Sequence, residues 1–103
     1  MNTPWGKSDH REVLPNGIVS VSTPSHGGYF VPAALNAQIP EYWQQATWGG
    51  QGARGWYEED CDWAIVCLFF AEHFPAEAYL HAVQTLKGWQ KDAWARYCDN
   101  AAA

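Results

Sequence analysis

Positive charge is scarce in this chain and missing altogether from its middle. Six Lys and Arg stand against eleven Asp and Glu, a formal charge of -5. Residues 55–86 hold six carboxylates (Glu58, Glu59, Asp60, Asp62, Glu72, Glu77) and no Lys or Arg. Residues 1–54 are balanced, and 87–103 lean slightly positive. A chain without a basic stripe lacks the electrostatic footprint of a phosphate-backbone binder, so direct nucleic-acid binding is not expected. An acidic segment instead suits a basic protein surface or a cation. Cysteine is also sparse. Cys61, Cys67 and Cys98 make an odd number with no C-x-x-C, and the four histidines include no H-x-x-x-H. That excludes a disulfide framework and the tight ligand pairs of a structural zinc site. All three thiols are expected to be buried as small apolar groups, and neither metal nor cofactor is expected. The longest apolar run, residues 63–71, is far short of the roughly 20 residues a membrane helix needs. Residues 1–15 are polar with two prolines, so no secretory leader is read in them. The expected location is the cytoplasm, with no membrane contact.

What is present is apolar and aromatic. Of 103 residues, 48% are apolar and seven are Trp, enough for one small domain spanning 1–103. Turn chemistry divides its first part. Pro15-Asn16-Gly17 and Pro24-Ser25-His26-Gly27-Gly28 separate three apolar stretches at 11–14, 17–23 and 29–31. Val19 and Val21 alternate with Ser20 and Ser22, the strand period. A three-stranded antiparallel meander over about 11–31 follows. Residues 1–10 are expected to be extended.

Helical signals occupy about 32–98. Pro32 and Pro40 precede short helices at 33–38 and 41–46. Four glycines in 48–55 predict a mobile loop. Glu58, Glu59, Asp60 and Asp62 then crowd into five positions, and the apolar run follows without a gap. Acids favour the first turn of a helix, so a central buried helix is predicted over 58–73, with Glu58 and Asp62 on one face. Pro75 ends it and starts a helix over 76–87, where Tyr79, Ala82, Val83 and Leu86 form a stripe capped by Gly88. A last helix covers 90–98. The class is α+β, a meander followed by a central helix and two or three more.

Four acids exceed what one helix end needs, because like charges four apart repel. Arg54 is the nearest cation. The surplus points to a protein-binding face built from Arg54, Trp56, Tyr57, Glu58, Glu59, Asp60 and Asp62, since Trp, Tyr and Arg dominate interface hot spots. A second candidate is His26, a proton shuttle before two glycines. Paired with a carboxylate of the 58–62 cluster, it would make a small hydrolase or a metal-dependent enzyme. No Gly-x-Ser-x-Gly elbow accompanies it. A third reading is an accessory structural domain without a site.

Three segments, Thr3-Pro4-Trp5-Gly6, the stretch from Gly17 to Gly28, and Trp56-Tyr57-Glu58-Glu59-Asp60-Cys61-Asp62-Trp63-Ala64, resemble a small domain of unknown function encoded on bacterial phages, plasmids and conjugative elements. The resemblance spans most of the chain. It implies a setting in a bacterial host, where small acidic mobile-element proteins are often similar to anti-CRISPR and anti-restriction inhibitors. The expected partner is then a basic, nucleic-acid-handling host complex.

Overall fold

The computed structural model describes residues 1–102. A two-stranded hairpin opens the chain, β1 (Asn2–Thr3) against β2 (Gly6–Lys7). Thr3 builds its turn: Oγ1 accepts the Trp5 N–H at 3.1 Å and donates to the Gly6 carbonyl at 2.6 Å. The segment expected to be merely extended thus presents Trp5 at a loop tip.

The main sheet has four antiparallel strands, not three: β3 (His10–Val13), β4 (Val19–Ser22), β5 (Gly27–Phe30) and β6 (Trp56–Glu58), in that order. The predicted meander is β3-β4-β5. Its first turn closes as expected, with the Gly17 N–H on the Leu14 carbonyl at 2.9 Å. Val21 is buried, as the alternation requires. The fourth strand is a correction. Residues 56–58 pair with β5 in the register Phe30↔Trp56, Tyr29↔Tyr57 and Gly28↔Glu58. Trp and Tyr favour a pleated surface, and β5 offers an open row of backbone donors and acceptors. That long-range pairing outweighs the helical pattern of the residues that follow.

The buried helix α3 accordingly runs only Trp63–Phe69, and its first turn contains no acid. The acids therefore stand ahead of the helix rather than inside its first turn, with Asp62 at the N-cap position. The predicted apolar body is confirmed: Ala64, Ile65, Val66, Cys67 and Leu68 are all buried. They join Ile18, Val31, Ile39, Trp43, Tyr57, Phe70, Ala82 and Leu86 in one core between the sheet and the later helices. The prolines act as read. Pro32, Pro40 and Pro75 immediately precede α1 (Ala33–Asn36), α2 (Glu41–Gln45) and α4 (Ala76–Trp89). A short 3-10 turn, Ala71–His73, fills the gap before Pro75. The last helix, α5 (Lys91–Ala102), extends past the predicted end at 98, and Ala103 lies outside the described residues. Cys67 is buried, but Cys98 is exposed on α5, contrary to expectation.

The glycine stretch is not a loose loop. Residues Trp48–Arg54 form 3-10 turns, tied down by buried polar groups. The Thr47 hydroxyl accepts the Gly52 N–H at 2.7 Å, and Asn36 Nδ2 donates to the Gly52 carbonyl at 2.8 Å. Tyr57 Oη donates to Asn36 Oδ1 at 2.6 Å. Each bond inside the core is favourable chiefly because its loss would leave a buried donor or acceptor unpaired. At the end of these turns Gly55 has φ +90°, and a Cβ there would overlap the Val31 carbonyl oxygen.

Gly88, predicted as a cap, lies inside α4 with open space where a Cβ would stand. Gly88→Ala is expected to raise unfolding stability by about 0.5–1 kcal/mol through helix propensity. Chemical denaturation checks this, and an unchanged or lower midpoint refutes it.

Candidate functional site

The acids lie on a tight turn between β6 and α3. Glu58 organises that turn. Its carboxylate accepts the backbone N–H groups of Asp60 (2.9 Å), Cys61 (2.7 Å) and Asp62 (3.2 Å). Successive N–H groups converging on one anion form a backbone nest. The chain supplies its own occupant for it, so Glu58 is first a structural residue and only partly a surface charge.

The remaining acids separate. Asp62 is 3% exposed. Its Oδ2 accepts the Trp48 N–H and its Oδ1 accepts Gln90 Nε2, each at 2.8 Å. One carboxylate thereby ties the start of the glycine turns and the α4–α5 junction to the start of α3. Burial pushes its pKa up to about 6, Glu58 adds to that, and the bonds from Trp48 and Gln90 oppose it. Glu59 and Asp60 are exposed. Glu59 borders a hollow of about 300 Å³ with Ser20, Ser22, Tyr29 and Trp63.

Of the seven residues predicted for a binding face, the structure brings only some together. Tyr57 is fully buried, with its hydroxyl spent on Asn36, and Asp62 faces inward, so neither can touch a partner in this conformation. Trp56 is half-buried between Trp5, edge-on at 5.7 Å, and Phe30 at 4.8 Å. Arg54 is exposed, but it lines a different hollow with Phe30, Ala33 and Ala37. It does not balance the acids. Among the described residues the one close approach of a basic and an acidic side chain is His73 Nε2 to Glu72 Oε1 at 3.5 Å. Glu58, Glu59 and Asp60 therefore carry no neutralising cation.

His26 sits at the β4–β5 turn, held by its neighbour. Thr23 Oγ1 donates to the His26 carbonyl at 2.7 Å and accepts its N–H at 3.0 Å. The imidazole is exposed. It shares a hollow of about 240 Å³ with Pro4, Trp5, Trp48, Glu58 and Asp60. Trp48 is 60% exposed there. Sequence reasoning did not assign Trp5 or Trp48 to a site. Their turn signals, Thr-Pro-Trp-Gly and Trp-Gly-Gly, were visible, but the meeting of the two loops was not.

Nucleophilic and metal chemistry draw little from these residues. Burial raises the Cys61 thiol pKa, and Glu58, Asp62 and Asp60 raise it further, disfavouring the thiolate. Among the described residues no three of His, Cys, Asp and Glu gather to hold a metal ion. Nor is any described helix long and apolar enough to cross a membrane. What the arrangement can do is present indole surface and uncompensated negative charge side by side.

Comparison with curated proteins and with solved structures finds no match. The family model described as a domain of unknown function, DUF7007, matches residues 1–103, and the chain belongs to that family.

Proposed function

We propose that the chain is a non-enzymatic, protein-binding inhibitor of mobile-element origin. It would occupy a basic surface on a host defence complex of the anti-CRISPR or anti-restriction type. One observation carries this reading: Trp48, 60% exposed, stands beside Glu58 and Asp60, acids with no cation to neutralise them. Trp is enriched at interface hot spots, and a carboxylate cluster can compete with phosphates for the Lys and Arg that hold nucleic acid. The resemblance of the three segments to mobile-element proteins supplies the setting. This reading keeps Glu59 and Asp60 of the predicted face and adds Trp48 and Trp5, with Glu58 shaping the turn beneath them.

Hydrolysis at His26 is the second reading, favoured by the hollow it shares with Glu58 and Asp60. It draws less support. No carboxylate oxygen lies within 4.0 Å of the imidazole among the described residues, and Glu58 already binds three backbone N–H groups.

The test is affinity capture from a bacterial host lysate, with partners identified by mass spectrometry. Raising salt from about 0.05 to about 0.5 M shortens the screening length severalfold and is expected to release the partner. The double reversal Glu59→Lys with Asp60→Lys is expected to prevent capture at low salt. A partner retained through both changes overturns the electrostatic reading.

A further inference from the structure

We propose that the hollow between the N-terminal hairpin and the acidic turn is a receptor for a single arginine side chain of a protein partner. The inference rests on the protein-binding reading above and names what that surface recognises.

The hollow measures about 240 Å³ and is lined by Pro4, Trp5, His26, Trp48, Glu58 and Asp60. It is smaller than the roughly 300–1,000 Å³ of sites for drug-sized ligands, so it suits one side chain better than a whole metabolite. No Lys or Arg lines it, and two carboxylate residues do, which selects a cation. Its aromatic lining selects further. Indole is the best face for a cation, and guanidinium both stacks on aromatic rings and offers a planar fork to a carboxylate. Lys offers a compact charge that stays strongly hydrated.

The two carboxylates have different duties. Glu58 is committed to the backbone N–H groups of the turn. The Asp60 side chain is exposed and engages no ion pair among the described residues, so it is the one free to meet the guanidinium. Trp5 is seated firmly. Its indole lies so close over the backbone of Gly28 that a Cβ there would come within 2.7 Å of Cη2, and Trp56 buttresses it edge-on. Trp48 is anchored through its backbone N–H to buried Asp62 while its ring stays outside. The Trp5 ring and the Trp48 backbone are therefore in place before a ligand arrives, which lowers the cost of ordering on binding.

The test uses the full chain labelled with nitrogen-15 and follows the indole N–H signals, with Trp48 assigned by its loss in Trp48→Ala. N-acetyl-L-arginine amide is the probe. N-acetyl-L-lysine amide and N-acetyl-L-glutamine amide are the comparisons. The arginine probe is expected to shift the Trp48 signal saturably, the lysine probe more weakly, and the glutamine probe not at all. Asp60→Asn, at an exposed side chain without a hydrogen bond or ion pair among the described residues, should weaken the arginine probe by roughly threefold or more. In Trp48→Ala the remaining shifts should require a similarly higher probe concentration. Equal shifts from the glutamine probe, no saturable shift, or undiminished binding in both variants overturns the receptor. Lysine binding as tightly as arginine overturns the guanidinium assignment. If charge reversal abolishes capture of a lysate partner while the arginine probe leaves Trp48 untouched, the receptor fails and the protein-binding reading stands. If the arginine probe binds but nothing is captured at any salt, the host-complex reading fails and what stands is a guanidinium site without that partner.

Discussion

Gly28→Ala is expected to cost about 3 kcal/mol or more in unfolding free energy and to disorganise the site together with the fold. A Cβ at this position would overlap the Tyr57 carbonyl oxygen, stand 2.9 Å from the Glu58 Cα and press to 2.7 Å on the Trp5 indole. Two of those three neighbours are backbone of β6, which cannot swing aside as a flexible side chain could. Overpacking a well-filled interior typically costs about 1–3 kcal/mol, and a rigid neighbour puts this case at the upper end or beyond. Either β6 peels from β5 or Trp5 leaves its seat. The pairing of Tyr29 with Tyr57 would go with β6, and with it the buried bond from Tyr57 to Asn36. Denaturant unfolding measures the loss. Near-ultraviolet circular dichroism reports whether the Trp5–Trp56 contact survives. A variant with the wild-type midpoint and spectrum would show that the close approach at Gly28 is not a real constraint.

The second large effect is a stability that rises on mild acidification. Asp62 is buried, and its pKa in the folded chain is pushed up to about 6, from 3.8. Below about pH 6 the folded state takes up a proton that the unfolded state takes up only near pH 4. Stability from this group therefore increases as pH falls through that window, and it is lost as pH rises through 6. The slope is about 1.4 kcal/mol per pH unit, so the whole window is worth about 3 kcal/mol. Most carboxylates that gain partners on folding act in the opposite sense. Asp62→Asn is expected to remove this component and flatten the profile between pH 4 and 7. It should be tolerated at neutral pH, because the Gln90 amide can turn and offer its Oε1, which is buried without a partner, to the new side-chain N–H₂. The turn leaves the Ala46 carbonyl without Gln90 Nε2, a weak bond at 3.3 Å. Unfolding free energies of both proteins across pH 4–7 decide the matter. A wild-type profile that falls on acidification, or one unchanged by the substitution, sinks the assignment.

The two predictions meet in the candidate site. Gly28 sets the height of Trp5, and Asp62 holds the backbone of Trp48. A surface that recognises a partner through two indoles needs both supports, although neither Gly28 nor Asp62 touches the hollow. The 58–62 cluster is thus divided by role. Glu58 folds the turn, Asp62 anchors the interior, and Glu59 and Asp60 remain outside as charge.

Features that depend on near neighbours were legible in the sequence. Proline before a helix, the Pro15-Asn16-Gly17 turn, the Val19–Val21 alternation and the wholly apolar stretch Ala64–Leu68 each follow from φ restriction, side-chain period or solvation. Each stands where those rules put it. The acids were legible as a concentration of charge, but not as to direction. Whether Glu58 begins a helix or ends a strand that closes a sheet depends on an open strand edge, where Tyr57 pairs with Tyr29, 28 residues away. The burial of Tyr57 then draws Asn36 and the glycine turns into the core. The same holds for the site. The hollow joins residues 4–5, 26, 48, 58 and 60, which no local rule connects. By itself the sequence determined an α+β chain with one apolar helix and one acidic segment. Tertiary structure alone decided which acids face water and which aromatics stay exposed beside them. That choice is made by backbone pairing and by competition for burial, and both act between residues distant along the chain.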